Sequence, residues 1–219
     1  MDIMKFLLVF LLNFSWIGNV MAIEEPKFEV LVTDGAFEIR QYSPYLVAET
    51  LVEGDMDDAS SKGFRLIADY IFGTNQAANS AASEKIAMTA PVTLEPLSAK
   101  IAMTAPVTIE PQTGAPGMGT TKQWLVKFVM PSQYTMATIP KPKNSAVHLR
   151  EVASKRYAVL KYSGFNFQSR VETKTQEALA WVAKRQLQVI GQPQLSRYDP
   201  PWTLPMLRRN EIMIEISTP

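Results

Sequence analysis

The chain has a single histidine, His148, and no cysteine, which limits the catalytic and metal-binding chemistry that it can perform. Catalytic zinc sites draw on several histidine or cysteine ligands, and cysteine nucleophiles and disulfides are excluded outright. No Gly-x-Ser-x-Gly elbow is present to pair a serine with His148. Distant carboxylates could still form a glycosidase-type pair, but no spacing favours one. We therefore predict that the protein is not an enzyme.

The environment of His148 leaves two interpretations. Val147 and Leu149 flank it in a predicted strand, so its side chain points away from their face, on the side of Arg150. It is either a surface histidine or a ligand to a bound metal. Methionine is also abundant, with Met88 and Met103 among the eight that lie beyond residue 22. Flexible apolar side chains of this kind fill cores and grooves, which we favour over metal ligation.

The first 22 residues have the features of a secretory signal peptide. Lys5 precedes an apolar run from 6 to 16, which is too short to cross a bilayer. Val20 and Ala22 stand at the −3 and −1 positions of a cleavage site after Ala22, and an uncleaved anchor is the alternative. We expect an exported chain, periplasmic or secreted, whose mature part is one domain of residues 23–219.

Charge and hydropathy argue against a nucleic-acid partner and against a membrane span. The formal net charge is only +1 at pH 7, whereas a general nucleic-acid binder carries a basic excess. No segment after the apolar run approaches about 18 consecutive apolar residues, so we expect no membrane span after cleavage. The sequence does not define an oligomeric state.

Apolar periodicity predicts three strands and a helix in the first half of the chain. Residues 28–32 and 37–40 alternate around Asp34-Gly35, which favours a hairpin with a type I′ turn, and a third strand covers 45–52. The helix then runs between Asp55 and Gly73, which are typical residues for its two ends. Its apolar stripe consists of Phe64, Ile67, Ala68, Ile71 and Phe72.

The second half repeats this outline. After a strand at 124–130, whose alternate residues form one apolar face, we predict strands at 147–150 and 157–162, a helix at 169–190 and a closing strand at 212–216. The expected fold class is α+β. The expected architecture is a distorted antiparallel β-barrel of two pseudo-repeats, each with a flanking α-helix.

One segment occurs twice. Residues 85–96 and 100–111 agree at eleven of twelve positions, with an offset of 15. Solenoids need about three or more repeats of at least 20 residues, so this is not one. Two explanations stay open. The copies are two short strands joined by a turn at 96–99, with their prolines at strand ends, or they are a tandem duplication that the fold accommodates as a loop.

Several segments, taken in order, resemble the SOUL haem-binding family. One contains Met-Thr-Ala-Pro and another Asp-Pro-Pro-Trp; either alone is weak, but the series is specific and spans nearly all of the chain beyond residue 22. The segments are residues 37–42, 85–92, 128–131, 157–165, 198–202 and 208–211.

The resemblance implies a distorted barrel that binds haem or another tetrapyrrole in an apolar groove beside the first helix. Haem is flat and apolar and carries two propionates, so its site needs apolar surface flanked by cations. His148 becomes the candidate axial ligand to the iron, and as the sole histidine it excludes bis-histidine ligation in a monomer. The residues that we expect to form the groove are Lys62, Phe64, Arg65, Ile67 and Ile71.

The first functional hypothesis is therefore an exported carrier or buffer of haem that does not turn it over. The alternative is a module that binds another apolar small molecule or a protein partner. A second candidate site is the region 198–211, with Trp202, Arg208 and Arg209. For this region we favour an architectural role, in which Asp-Pro-Pro-Trp makes a rigid turn and Arg208 pairs with Glu211.

Overall fold

The computed structural model describes residues 23–97 and 123–218. The predicted signal peptide, residues 1–22, and the second copy of the repeat, residues 100–111, lie outside the described residues. Within the first copy, residues 92–96 form a strand. Whether the second copy is a strand or a loop stays a prediction.

Strands and two α-helices alternate along the described chain. The helices are α1 (Met56–Phe72) and α2 (Gln168–Lys184), and a short 3₁₀ helix covers Pro205–Leu207. The strands are β1 (Phe28–Asp34), β2 (Phe37–Tyr42), β3 (Tyr45–Glu53), β4 (Asn75–Gln76), β5 (Val92–Pro96), β6 (Gln123–Val129), β7 (Lys141–Pro142), β8 (His148–Val152), β9 (Lys155–Tyr162), β10 (Gln194–Arg197) and β11 (Asn210–Ile216).

The strand order shows two related halves. Nine strands form one antiparallel sheet in the order β1-β2-β9-β11-β10-β5-β6-β3-β8, while β4 and β7 form a separate pair. Each half follows the order β-β-α-β-β, first as β2, β3, α1, β5 and β6, then as β8, β9, α2, β10 and β11. If each strand of one half is exchanged with its counterpart in the other, the sheet order from β2 to β8 is unchanged except that it is read in reverse. An approximate twofold axis therefore passes between β10 and β5.

This arrangement confirms the predicted α+β fold of two pseudo-repeats, each with its own helix. The sheet is a curled half-barrel whose edges are β1 and β8. α1 packs on β3 and β6, and α2 packs on β9 and β11. Alternate strand residues face these helices and are buried in one core, as the sequence predicts for Val126, Phe128 and Ile214. We call this side of the sheet the helix face. In the described part of the chain, no helix has the length and apolarity needed to cross a bilayer.

α1 begins and ends where the sequence predicts. The Asp55 side chain accepts a hydrogen bond from the backbone N–H of Asp58 at 2.8 Å, which caps the first turn. Gly73 ends the helix with a φ of 131°, which L-residues with a Cβ rarely adopt. Gly63 brings the helix close to β6, because a Cβ at this position would lie 2.5 Å from Val126 Cγ2.

The prediction of a type I′ turn in the first hairpin is wrong. Asp34 pairs with Phe37, so the two central turn residues are Gly35 and Ala36. Only Gly35 has a positive φ, of 61°, whereas a type I′ turn needs positive φ values at both central residues. The hairpin itself is confirmed.

The predicted C-terminal end of the second helix is also wrong. α2 ends at Lys184 rather than at 190. Gln186 has a φ of 56°, which turns the chain away from the helix axis. Val189 then pairs with Ile216 at the end of β11. The residues after Lys184 keep the apolar spacing of a helix, but they leave the helix because Val189 pairs with the sheet.

The sequence interpretation missed β10. Its residues lie between Pro193 and the Asp-Pro-Pro-Trp turn, and a run of four residues is too short for alternation to be recognised. β10 pairs with β11 on one side and with β5 on the other, so it joins the two halves of the sheet.

Candidate functional site

A row of side chains crosses the helix face at one end of the sheet. The strand register aligns Tyr162 with Asn210, Asn210 with Arg197, Arg197 with Val92, and Val92 with Phe128. We call these five residues the Arg197 strip. It changes along its length from polar, through one cation, to apolar.

Arg197 is the charged centre of the strip. Its Nη1 donates to Ser60 Oγ at 3.1 Å, and its Nη2 lies 3.6 Å from Asp57 Oδ1, so the side chain reaches the first turns of α1. Its Nε is buried and has no hydrogen-bond partner among the described residues. Burial lowers the pKa of Arg197, although the nearby negative charge of Asp57 acts to raise it. The Arg197 side chain is 26 % exposed and makes only one long contact to an exposed carboxylate, so its outer nitrogen atoms are suited to bind another anion.

Phe64 forms an apolar wall next to this cation. It lies one helical turn after Ser60, and its ring packs on Phe128 with the ring centroids 5.4 Å apart. The Phe64 side chain is 40 % exposed. Val92 is half-buried between Phe128 and Arg197 in the strip. An accessible apolar surface thus adjoins a cation with an unused donor.

The polar end of the strip is closed by hydrogen bonds. Tyr162 Oη donates to Asn166 Oδ1 at 2.7 Å, and Asn166 Nδ2 donates to Asn210 Oδ1 at 2.6 Å. Asn210 Nδ2 in turn donates to the carbonyl oxygen of Gly164. Burial raises the pKa of Tyr162, so its hydroxyl stays protonated at neutral pH. This network fixes the loop after β9 and shapes one end of the strip.

The structure distributes the predicted groove residues over different sides of α1. Lys62 Nζ donates to the carbonyl oxygen of Glu53 at the end of β3, on the flank away from β10. Arg65 is exposed. Ile67 and Ile71 are 0 % exposed in the core, so they support the surface from below and cannot line an open groove. Of the five predicted residues, Phe64 is the one beside the strip.

His148 is not brought to α1. It lies on the edge strand β8 opposite Glu49, and its neighbour Leu149 packs on the core of the helix face. Because successive side chains of a strand alternate, His148 faces the opposite side of the sheet. It cannot be the axial ligand of a haem bound beside α1. Within the described residues, no cluster of three or more histidine or acidic side chains could hold a metal ion.

The opposite face of the sheet carries a closed network of charges. Arg40 makes two hydrogen bonds to Glu211, of 2.9 and 3.0 Å, and one of 2.7 Å to Glu38. Tyr198 and Arg209 also donate to Glu211, at 2.6 and 2.9 Å. Burial disfavours the charge of Arg40, but hydrogen bonds and attraction from Glu211 outweigh it and raise the arginine pKa. These charges compensate one another, so none is free to recognise a ligand.

A cleft of about 430 Å³ at the rim of this opposite face is a weaker candidate. Its charged lining residues are Glu24, Glu25, Glu151 and Lys27, three carboxylates against one ammonium. Glu25 is bound by Arg209, and the Glu24 carboxylate accepts a hydrogen bond from a backbone N–H. The acidic lining opposes a ligand that itself carries carboxylates, such as haem.

In the second candidate region, residues 198–211, both arginines bind nearby backbone or network groups, as the architectural interpretation predicts, although one predicted ion pair differs. Arg208 Nε donates to the carbonyl oxygen of Thr203 at 2.7 Å, and Nη2 donates to that of Pro201. The predicted pair between Arg208 and Glu211 is wrong, because the next residue, Arg209, takes this role. Alternation along β11 explains the difference, since Arg209 and Glu211 share one face.

A family model described as SOUL heme-binding protein matches residues 23–215. The chain belongs to the SOUL heme-binding protein family. The match confirms the resemblance seen in the sequence, and it makes haem or a related tetrapyrrole the ligand class to consider for this SOUL protein. No curated protein matches the chain significantly.

Solved structures share the fold at low sequence identity. The C-terminal domain of EcmrR is 9 % identical, with a TM-score of 0.56, and the match covers 84 % of the SOUL chain and 98 % of that domain. A hydrolase from Listeria innocua is 10 % identical, with a TM-score of 0.52 and coverages of 85 % and 94 %. An uncharacterized conserved protein from Listeria innocua is 12 % identical, with a TM-score of 0.52 and coverages of 83 % and 92 %. These matches support the fold alone.

The segments that carried the SOUL resemblance contribute to both the candidate site and the scaffold, since four of the five strip residues, Tyr162, Asn210, Val92 and Phe128, lie within them. Arg40, Tyr198 and Glu211 come from three of them and meet in the buried network of the opposite face. Arg197 immediately precedes one of these segments, and sequence reasoning did not single it out. Recognition of the short strand β10 would have put Arg197 in the sheet, but only the pairing of β10 with β5 brings it beside α1.

Proposed function

We propose that this SOUL protein is exported and binds haem or another tetrapyrrole at the Arg197 strip, without turning it over. The observation that carries the proposal is the partly exposed guanidinium of Arg197, whose one contact to a carboxylate among the described residues is long, next to the half-exposed Phe64 ring. A tetrapyrrole offers a flat apolar ring for Phe64 and Val92 and a propionate for the guanidinium. The ligand carboxylate would replace the long contact to Asp57.

The placement of the single histidine makes an iron-independent mode of binding part of the proposal. Since His148 lies on the other side of the sheet, Phe64, Val92 and Arg197 hold the macrocycle and its propionates rather than the metal. Iron, when present, contributes its own redox and ligand chemistry. Metal-free protoporphyrin should therefore bind in the same way as haem.

Export rests on the apolar run at residues 6–16 and on the small residues before Ile23. Expression of the full chain, followed by intact mass measurement of the recovered protein, tests it. We expect a chain that begins at Ile23 and is recovered outside the cytoplasm. A full-length cytoplasmic product would contradict this part of the proposal alone.

Titration with haem, followed by the Soret band, and with protoporphyrin, followed by fluorescence, tests the site. We expect saturable binding to the wild type and a dissociation constant raised at least about tenfold in Arg197→Gln, because a hydrogen bond to a charged group contributes about 1.5–3 kcal/mol. Phe64→Ser should weaken both ligands as well.

Two variants serve as controls. Arg150→Gln removes an exposed arginine from the other face, and His148→Ala removes the only imidazole; both should bind as the wild type does. Loss of haem binding in His148→Ala alone would relocate the site to β8. Absence of saturable binding to either tetrapyrrole would leave the alternative, a module for another apolar molecule or a protein.

A further inference from the structure

Exposed apolar side chains are concentrated on two adjoining loops. One loop follows β9, and the other connects β10 to β11. Trp202 is 82 % exposed, and Met206 and Leu207 are each 68 % exposed, values that are unusual for such large apolar side chains. We call this cluster the loop-tip patch; it consists of Phe165, Phe167, Trp202, Leu204, Met206 and Leu207.

The two loops hold each other in place. The backbone N–H of Gly164 donates to the carbonyl oxygen of Pro205 at 2.8 Å. The rings of Phe165 and Phe167 stack with their centroids 5.3 Å apart, and the Arg208 guanidinium lies 5.4 Å from the centroid of Phe165. The apolar tips are therefore displayed by a preformed support, which reduces the ordering cost of binding.

Positive charge surrounds the patch. Arg170 Nη2 donates to the carbonyl oxygen of Ser163 at 3.0 Å, and Arg208 likewise bonds to backbone carbonyls. In the part of the chain that the structure describes, neither guanidinium forms an ion pair with a carboxylate. Asp199 is the single acidic residue in 163–170 and 199–208, and it accepts a hydrogen bond from the backbone of Arg209.

We propose that the loop-tip patch docks this protein on the surface of a bilayer that contains anionic lipid. The apolar side chains project from loop tips instead of lining a groove, which suits shallow insertion between headgroups. Trp202 has the amphipathic ring that prefers the membrane interface, and the two arginines complement anionic headgroups. This surface adjoins the polar end of the Arg197 strip, but none of its six apolar residues belongs to the strip, and the proposal does not depend on tetrapyrrole binding.

Cosedimentation of the processed protein with phosphatidylglycerol vesicles, compared with phosphatidylcholine vesicles, tests the proposal. We expect partition onto phosphatidylglycerol and a blue shift of tryptophan emission that is absent in Trp202→Phe. The double variant Met206→Ser/Leu207→Ser should lower the partition at least about tenfold, because two large apolar side chains no longer enter the membrane. The matched control Leu51→Ser/Phe72→Ser alters two apolar residues elsewhere that are also more than half exposed, and it should partition as the wild type does.

The contribution of charge is tested by Arg170→Gln, which should lower partition onto phosphatidylglycerol about fivefold, whereas Arg170→Lys retains it. Absence of partition onto phosphatidylglycerol, or an equal loss in the Leu51/Phe72 control, would overturn the proposal. A concentration-dependent dimer that disappears in Met206→Ser/Leu207→Ser would assign the patch to a second copy of the chain instead.

Discussion

At the scale of single residues, the stability of the opposite face depends on Arg40. Arg40 is 1 % exposed, and its guanidinium forms ion pairs with the carboxylates of Glu38 and Glu211. We expect Arg40→Met to lower the free energy of unfolding by about 3–5 kcal/mol, because it leaves buried carboxylates with too few cations. Urea denaturation measures this change.

Two further variants identify the cause of that loss. Arg40→Met/Glu211→Gln should recover part of the stability, because the double change removes a charge from each side of the pair. Arg150→Met removes an exposed partner of Glu49 and should cost about 0–1 kcal/mol. A loss in Arg40→Met as small as that in Arg150→Met would contradict the role given to the network.

The ionisation of Glu38 makes the stability contributed by this network depend on pH in the acid range. Burial raises the pKa of Glu38, but hydrogen bonds from Lys161 and Arg40 outweigh it and place the pKa below its ordinary value. A lowered carboxyl pKa stabilises the fold above the unfolded pKa of about 4.3. This contribution is lost as the pH falls through the folded pKa.

At the scale of elements, the contact between α1 and β6 depends on a glycine. Alanine at Gly63 would favour the helix by up to about 1 kcal/mol in isolation. Its Cβ would, however, lie 2.5 Å from Val126 Cγ2, on a central strand that pairs on both sides with β3 and β5. We expect Gly63→Ala to lower the free energy of unfolding by about 1–3 kcal/mol, as overpacking does.

Thermal and urea denaturation measure this change against a control on the same helix. Ser61→Ala alters an exposed position of α1 and should leave stability unchanged or slightly raised. Gly63→Ala/Val126→Ala should recover part of the loss, because it removes the opposing methyl groups. If Gly63→Ala proves as stable as Ser61→Ala, the close approach of α1 to β6 is not required.

At the scale of the whole molecule, the tyrosines predict how the protein responds to alkali. The chain has seven tyrosines, and burial, the largest cause in each case, raises the pKa of every one. The pKa of Tyr45, for example, is raised to about 12. A raised tyrosine pKa stabilises the fold below the unfolded pKa of about 10, and this stabilisation is lost as the pH rises further.

We therefore expect much less phenolate absorbance in the folded protein near pH 10 than in the unfolded chain, followed by ionisation of most tyrosines together with unfolding at higher pH. Ultraviolet difference absorbance, recorded beside circular dichroism, measures both events. The same protein in denaturant should titrate near pH 10 and serves as the reference. Stepwise ionisation of several tyrosines in a protein that stays folded would contradict this prediction.

The sequence alone determined most of the local structure and the family. Alternation of residues such as Trp124, Val126 and Phe128 defined a strand and its buried face, and Asp55 with Gly73 defined the ends of α1. These features could be predicted because capping and periodicity act between residues that are near one another in the chain. The ordered series of short segments indicated the SOUL family for the same reason, since each segment is recognisable on its own.

Only the tertiary structure decided which residues meet. Pairing of β10 with β5 placed Arg197 beside α1, although 137 positions separate it from Ser60. The order of the strands put His148 on the far side of the sheet from Phe64. The rotation of α1 put Lys62 on the flank of the helix that faces the end of β3, away from β10. Register and strand order are set by non-local pairing and by burial on two faces, and neither is encoded in any single segment.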